Sequence, residues 1–162
     1  MILSRSVRPG GRRQAGIGMI EVLIAVLVVS IGFLGMAALQ AKALSTNNSA
    51  MARSMATVAS YSMLDAMRTD LTSAEAGAYN TASPMAANAC PDAGASLSSL
   101  QLNQWCNQLG AALGATVTTT GAINCTNTAM CTITIVFDDS RAGKAGTTGS
   151  TGTQTVTTVA QL

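Results

Sequence analysis

Three groups of residues in this chain have side chains that can do chemistry. The first is Glu21, a lone carboxylate at the edge of an uncharged run from Val22 to Leu39. An acid at the rim of a membrane-length apolar helix is costly, so it reads as a functional group that needs a partner. The second is four cysteines, Cys90, Cys106, Cys125 and Cys131. None forms a C-x-x-C pair and the chain has no histidine, so the set points to disulfides rather than zinc. Pairing Cys90 with Cys106 and Cys125 with Cys131 closes two local loops and is preferred. Cys90–Cys131 with Cys106–Cys125 is the main alternative. The third is Asp138-Asp139. Adjacent strand residues point to opposite faces, so the two acids do not share one site. A turn-starting role suits them better, with Asp139 and Arg141 as a rim ion pair.

Composition removes several classes of function. Without histidine there is no Ser-His-Asp or Cys-His catalysis and no histidine-ligated metal. Only 10% of residues are charged and 3% aromatic, well below the charged share of an ordinary globular enzyme. No phosphate loop or dinucleotide fingerprint is present. The net charge of +2 conceals an asymmetry: Arg5, Arg8, Arg12 and Arg13 precede residue 17, leaving five basic and seven acidic residues behind them. Such a chain offers no clustered basic face for nucleic acid. No catalytic residue, metal or cofactor is expected.

The uncharged run from Val22 to Leu39 reaches the lower limit for a bilayer span. The arginines place its N-terminal side in the cytoplasm and the remainder outside. A cleaved secretory signal has a shorter apolar region followed by a break, whereas this run passes into a helical pattern. A membrane-anchored periplasmic enzyme or binding module is one reading of that architecture.

A more specific reading comes from residues 14–23, QAGIGMIEVL. They resemble the class III signal of type IV prepilins, in which a short basic leader ends in Gly and the mature chain carries Glu at its fifth place. The resemblance implies cleavage between Gly16 and Ile17 by a prepilin peptidase, N-methylation of Ile17, and an assembly role for Glu21. Ile17 departs from the usual Phe but keeps its apolar character. Further on, SIGFLGMAALQAKAL, the stretch NNSAMARSMATVASYSMLDAMR and the late ITIVFDDSRAG are similar to the PilV group of minor pilins, the type IV pilus modification proteins. The implied partners are other major and minor pilins and the inner-membrane assembly platform. The implied location is the bacterial inner membrane, single-pass, and then the pilus. A minor pseudopilin of a type II secretion system shares the same N-terminus and is the alternative within this class.

These features must be positioned by a small set of elements. The expected fold is α+β and pilin-like, with a leader over 1–16, an apolar helical half over 17–40 and an exported domain over 41–162. No Pro occurs between Pro9 and Pro84, which predicts one helix from about Ile20 to about Asp70. At about 1.5 Å per residue it is on the order of 75 Å long. Its second half carries Leu44, Met51, Met55, Val58, Met63, Leu64 and Met67 at helical spacing, read as the face buried on the domain. Residues 71–96 read as a loop. A second helix is predicted from Ser98 to Leu113, its stripe formed by Leu102, Trp105, Leu109 and Leu113, and Gly114 ends it. Three antiparallel strands are predicted over Thr116–Thr120, Cys131–Asp138 and Gln154–Gln161, with a Gly-rich hairpin loop over 140–152.

Overall fold

The structure, a computed structural model, describes residues 16, 18–140 and 152–162. The four leading arginines, Ile17, Arg141 of the expected ion pair and most of the Gly-rich loop lie outside the described residues. The chain divides into two compact units, Met1–Gln40 and Ala41–Leu162.

Helix α1 runs over 51 residues, Met19–Thr69, and so belongs to both units. No Pro interrupts it, and the hydroxyls of Ser30 and Ser60 bond back to their own helix. Ser30 Oγ donates to Val26 O at 2.7 Å and Ser60 Oγ to Ala56 O at 3.0 Å. Ser30 is thus satisfied within an apolar stretch, and Ser60 within the core. In the first unit, the side chains from Met19 to Leu39 are all exposed. Helix α1 is long and apolar enough to cross a membrane.

In the second unit, α1 buries Ala56, Ala59, Ser60, Met63, Leu64 and Met67. Their spacing of three and one residues defines a single face. This corrects the expected Met-rich stripe. Met63, Leu64 and Met67 are in the core, but Leu44, Met51 and Val58 are 65%, 55% and 60% exposed. Ahead of Met63 the buried face is made of the small residues Ala56, Ala59 and Ser60.

The short helix α2 (Leu71–Glu75) follows directly, and strand β1 (Met85–Ala86) lies further along. Both fall in the stretch expected to be loop. Helix α3 spans Leu97–Leu113, close to the predicted limits. Ser96 caps it by accepting a bond from Ser99 N, and Gly114 ends it with φ +104°, a conformation open to glycine. Trp105 and Leu109 are buried, while Leu102 and Leu113 pack at the core's margin.

Strands β2 (Thr120–Cys125), β3 (Met130–Asp138) and β4 (Thr153–Gln161) complete an antiparallel sheet of order β1-β2-β3-β4. The sheet has four strands rather than three, and β2 begins where the predicted Thr116–Thr120 strand was to end. Thr116 explains the shift. Its Oγ1 accepts the N–H of Thr119 at 3.2 Å, so the β-branched run closes into a turn. Along β3 the alternation is as read from sequence: Ile133, Ile135 and Phe137 are buried, and Thr132, Thr134 and Val136 face the other way. The core therefore lies between one face of this sheet and helices α1 and α3. The fold is α+β with the pilin-like arrangement of a long N-terminal helix on a small antiparallel sheet.

Trp105 joins the three layers. Its Nε1–H donates to Ala59 O of α1 at 3.0 Å. Its ring lies against Gly121 of β2, where an added Cβ would stand 2.6 Å from Cη2 and Cζ3 and 2.7 Å from Leu109 Cδ1. Gly121→Ala is expected to cost about 1–3 kcal/mol by overpacking. Chemical denaturation of the single variants and of Gly121→Ala with Trp105→Phe measures the coupling. Equal stability of Gly121→Ala and the parent protein would refute the close packing.

Candidate functional site

The N-terminal candidate is built on the first turn of α1. Gly16 and Gly18 precede the helix, and Glu21 lies in its opening turn, fully in reach of its surroundings. Glu21 N and Val22 N both donate to Gly18 O, at 2.9 and 3.3 Å. A carboxylate at this position favours the helix, because the first-turn N–H groups carry partial positive charge. Among the described residues no ion pair involves Glu21, and the eighteen residues after it carry no charge. A Cβ on Gly16 would meet nothing within 4 Å, and one on Gly18 would meet only Ile20 Cγ2 at 3.9 Å. Among the described residues, crowding therefore does not require glycine at either position. Ile17, the expected methylation site, lies outside the described residues.

Gly32 and Gly35 have the same property further along α1, since a Cβ on either would meet nothing within 4 Å. Glycine costs about 1 kcal/mol relative to alanine in a helix interior. That cost has no packing counterpart within the chain. The exposed apolar side chains around these glycines complete a helical surface to which another apolar helix can approach closely.

The second unit holds the remaining candidates. Cys90 and Cys106 are bonded, with S–S 2.06 Å and Cα–Cα 5.6 Å, and tie the segment before α3 to that helix. Cys125 and Cys131 are bonded at 2.03 Å and sit directly opposite each other in the β2–β3 register. Of the two connectivities weighed from sequence, the structure has the local one. The second bond closes the hairpin whose turn Thr126 supports, its N–H donating to Met130 O at 2.9 Å.

Asp138 and Asp139 end β3 and do not converge on one site. Asp138 Oδ1 accepts Ser140 N at 2.8 Å, which fixes the turn. Asp139 N donates to Gly152 O at 2.7 Å, and its carboxylate accepts the hydroxyl of Ser49 on α1. One turn further on, Arg53 Nη2 donates to Gln154 Oε1 at 2.8 Å. Ser49 and Arg53 thus form an i,i+4 pair that fastens α1 to both ends of the β3–β4 connection. Sequence reasoning assigned Asp139 to Arg141 and missed Ser49. The signal was present as two polar residues four apart beside the buried face.

Tyr79 was also missed. It is fully buried, and its hydroxyl donates to Asp70 Oδ2 at 3.1 Å while lying against Gln101 Oε1. The one phenol proton serves either acceptor, and turning the Gln101 amide allows its NH2 to donate to the phenol oxygen. This contact joins the end of α1, the loop after α2 and the face of α3. Burial, followed by the bond to Asp70 and its negative charge, pushes the Tyr79 pKa up to about 12 from 10.0. Among the described residues no group of His, Cys, Asp or Glu is placed to hold a metal ion.

No family model matches the chain, and no curated protein or solved structure matches it significantly.

Tyr79 sets a pH limit. A phenol whose folded pKa is raised contributes its full stability below pH 10 and loses it between pH 10 and 12. Tyr79→Phe is expected to cost about 1–2 kcal/mol at neutral pH. Across pH 10–12 that deficit should shrink, because the variant has no phenol to ionise. Paired denaturation curves at pH 7 and pH 11 measure this, and a constant deficit would exclude Tyr79 as the group responsible.

Proposed function

We infer that the chain is a minor pilin of the PilV group, a structural subunit of the type IV pilus rather than an enzyme. The observation that carries this reading is the first turn of α1. Glu21 is a lone acid ahead of an exposed, uncharged stretch of α1, and among the described residues no packing accounts for glycine at Gly16. A recognition sequence for a processing enzyme accounts for both.

In this reading a prepilin peptidase cuts between Gly16 and Ile17 on the cytoplasmic side and methylates the new amine of Ile17. Cutting removes Arg5, Arg8, Arg12 and Arg13, whose charges hold that end at the anionic inner face. The apolar half of α1 is then free to leave the bilayer for a bundle of similar helices, its small Gly32 and Gly35 allowing close approach. Glu21 meets the N-terminal amine of a neighbouring subunit. Inside an apolar bundle an unpaired carboxylate is costly and a paired one is tolerated, so the pair selects axial register more than it adds stability. The second unit stays outside and presents its loops and sheet to other pilins. The inner-membrane assembly platform moves the processed subunit from membrane to fibre.

Two variants test the reading. Gly16→Leu should leave the full-length precursor in the membrane, and the intact mass of the protein reports it. A mature chain beginning at Ile17 in that variant would contradict the assignment. Glu21→Val should insert normally, since it removes a cost, yet its recovery in sheared fibres should fall at least tenfold. Undiminished recovery would rule out the pairing with a neighbour's amine.

A further inference from the structure

The two disulfides differ in their access to solvent. Cys125 and Cys131 are both buried in the core, and the Cys125 sulfur lies 3.7 Å from that of Met67. At the other bond, Cys106 is fully buried on α3, but Cys90 is partly exposed. A thiol reaching this protein from solvent therefore meets one cysteine before the other three.

Cys90 also lies in a different kind of segment. From Asn88 to Leu97 every residue except Cys90 is exposed. The stretch forms no helix or strand until α3 begins at Leu97. The chain just before it is fastened closely to the sheet. Asn80 Nδ2 donates to Cys125 O at 3.0 Å, and its Oδ1 accepts Cys125 N at 2.6 Å. Thr81 N donates to Ile123 O at 3.0 Å, and Ala87 N to Thr119 O at 2.8 Å. The Ala87 carbonyl abuts α3, where a Cβ on Gly110 would stand 3.1 Å from it. Beyond Ala87 the hold changes character. Ala89 N donates to Ala86 O within its own turn, and the ties to α3 are the disulfide and Asn103 Nδ2, which donates to Pro91 O at 2.7 Å.

We propose that residues 88–96 form a redox-sensitive strap, released from α3 when a dithiol exchanges with the Cys90–Cys106 bond at Cys90, while the Cys125–Cys131 bond stays closed. Exchange rates depend on which sulfur the attacking thiolate can reach, and here that is Cys90. One thiolate of the dithiol bonds to Cys90 Sγ. The Cys90–Cys106 bond breaks, and Cys106 leaves as a thiolate that takes a proton from water. The second thiolate of the dithiol then attacks its own sulfur in the mixed disulfide and expels Cys90 as a thiolate. The dithiol ends as a disulfide, and the two cysteines have gained its two electrons. The opened strap keeps one side-chain hydrogen bond to α3, at Pro91, and that bond is exposed to competition from water. Opening is local, because the polar ties at Asn80, Thr81 and Ala87 lie outside the strap.

The test uses the full chain purified in detergent micelles. A brief pulse of dithiothreitol, followed by alkylation and peptide mapping, should label Cys90 and Cys106 roughly tenfold or more faster than Cys125 and Cys131. A pulse of the monothiol 2-mercaptoethanol should leave its adduct on Cys90. The opened chain is then digested with a protease that cuts before aspartate. Cleavage between Pro91 and Asp92 should accelerate roughly tenfold or more, while cleavage at Asp65 and Asp70 keeps its rate. The double variant Cys90→Ser/Cys106→Ala should show the same cleavage pattern with no reductant. Should that variant fail to fold, the pulse on the parent protein decides alone. Equal labelling of the two disulfides, or an adduct found mainly on Cys106, would overturn the proposal. So would unchanged cleavage at Asp92 after opening. Acceleration at Asp65 and Asp70 to the same degree would identify the bond as a staple of the whole unit and would equally overturn the strap.

Discussion

The indole of Trp105 is the contact on which the second unit depends. It is the single tryptophan of a chain with few aromatics, and it touches every layer. Its N–H needs an acceptor once buried, and the Ala59 carbonyl supplies one, which fixes the height of α3 along α1. Its ring needs a flat, empty patch of strand, which fixes glycine at Gly121. Ala56, Ala59 and Ser60 are buried on α1. The bulk of the core comes from Tyr79, Phe137, Met63, Leu64, Met67 and Leu109 with the isoleucines of β2 and β3.

Polar ties at the periphery complete the arrangement. Tyr79 secures the end of α1 to α3, while Ser49 and Arg53 secure the other end of the same section to the sheet. The two disulfides add covalent ties, and Tyr79, Cys125 and Cys131 are themselves part of the apolar core. Along the uncharged run from Val22 to Leu39 the one hydroxyl, that of Ser30, bonds to its own helix.

The sequence pattern conveyed the long helix, α3 and strands β3 and β4 to within a residue or two, because each shows an uninterrupted period. It misplaced β2 for a physical reason. Thr116–Thr120 has high strand propensity, but hydroxyls that bond neighbouring backbone groups turned it into a bend. The true strand contains Gly121 and Asn124, which read as turn residues and are dictated by tertiary contact. The Met stripe failed similarly. Helical spacing located apolar residues, yet more than one face of α1 is apolar, and only the partner surfaces choose among them. At the N-terminus, the order of Gly16, Ile17 and Glu21 is a linear pattern that can be read without the fold. The clamps at Tyr79 and Ser49 were not, since each joins residues far apart in sequence.

The connectivity of the cysteines has a consequence for biogenesis. Each bond joins a cysteine to the next one along the chain, with separations of 16 and 6 residues. A chain made from its N-terminus onward presents Cys106 when only Cys90 precedes it, and Cys131 when Cys125 is the nearest thiol before it. Where oxidation keeps pace with the chain's appearance, this nearest-neighbour pattern forms with no reshuffling. The β2–β3 hairpin is then cross-linked before β4 is present to pair with it.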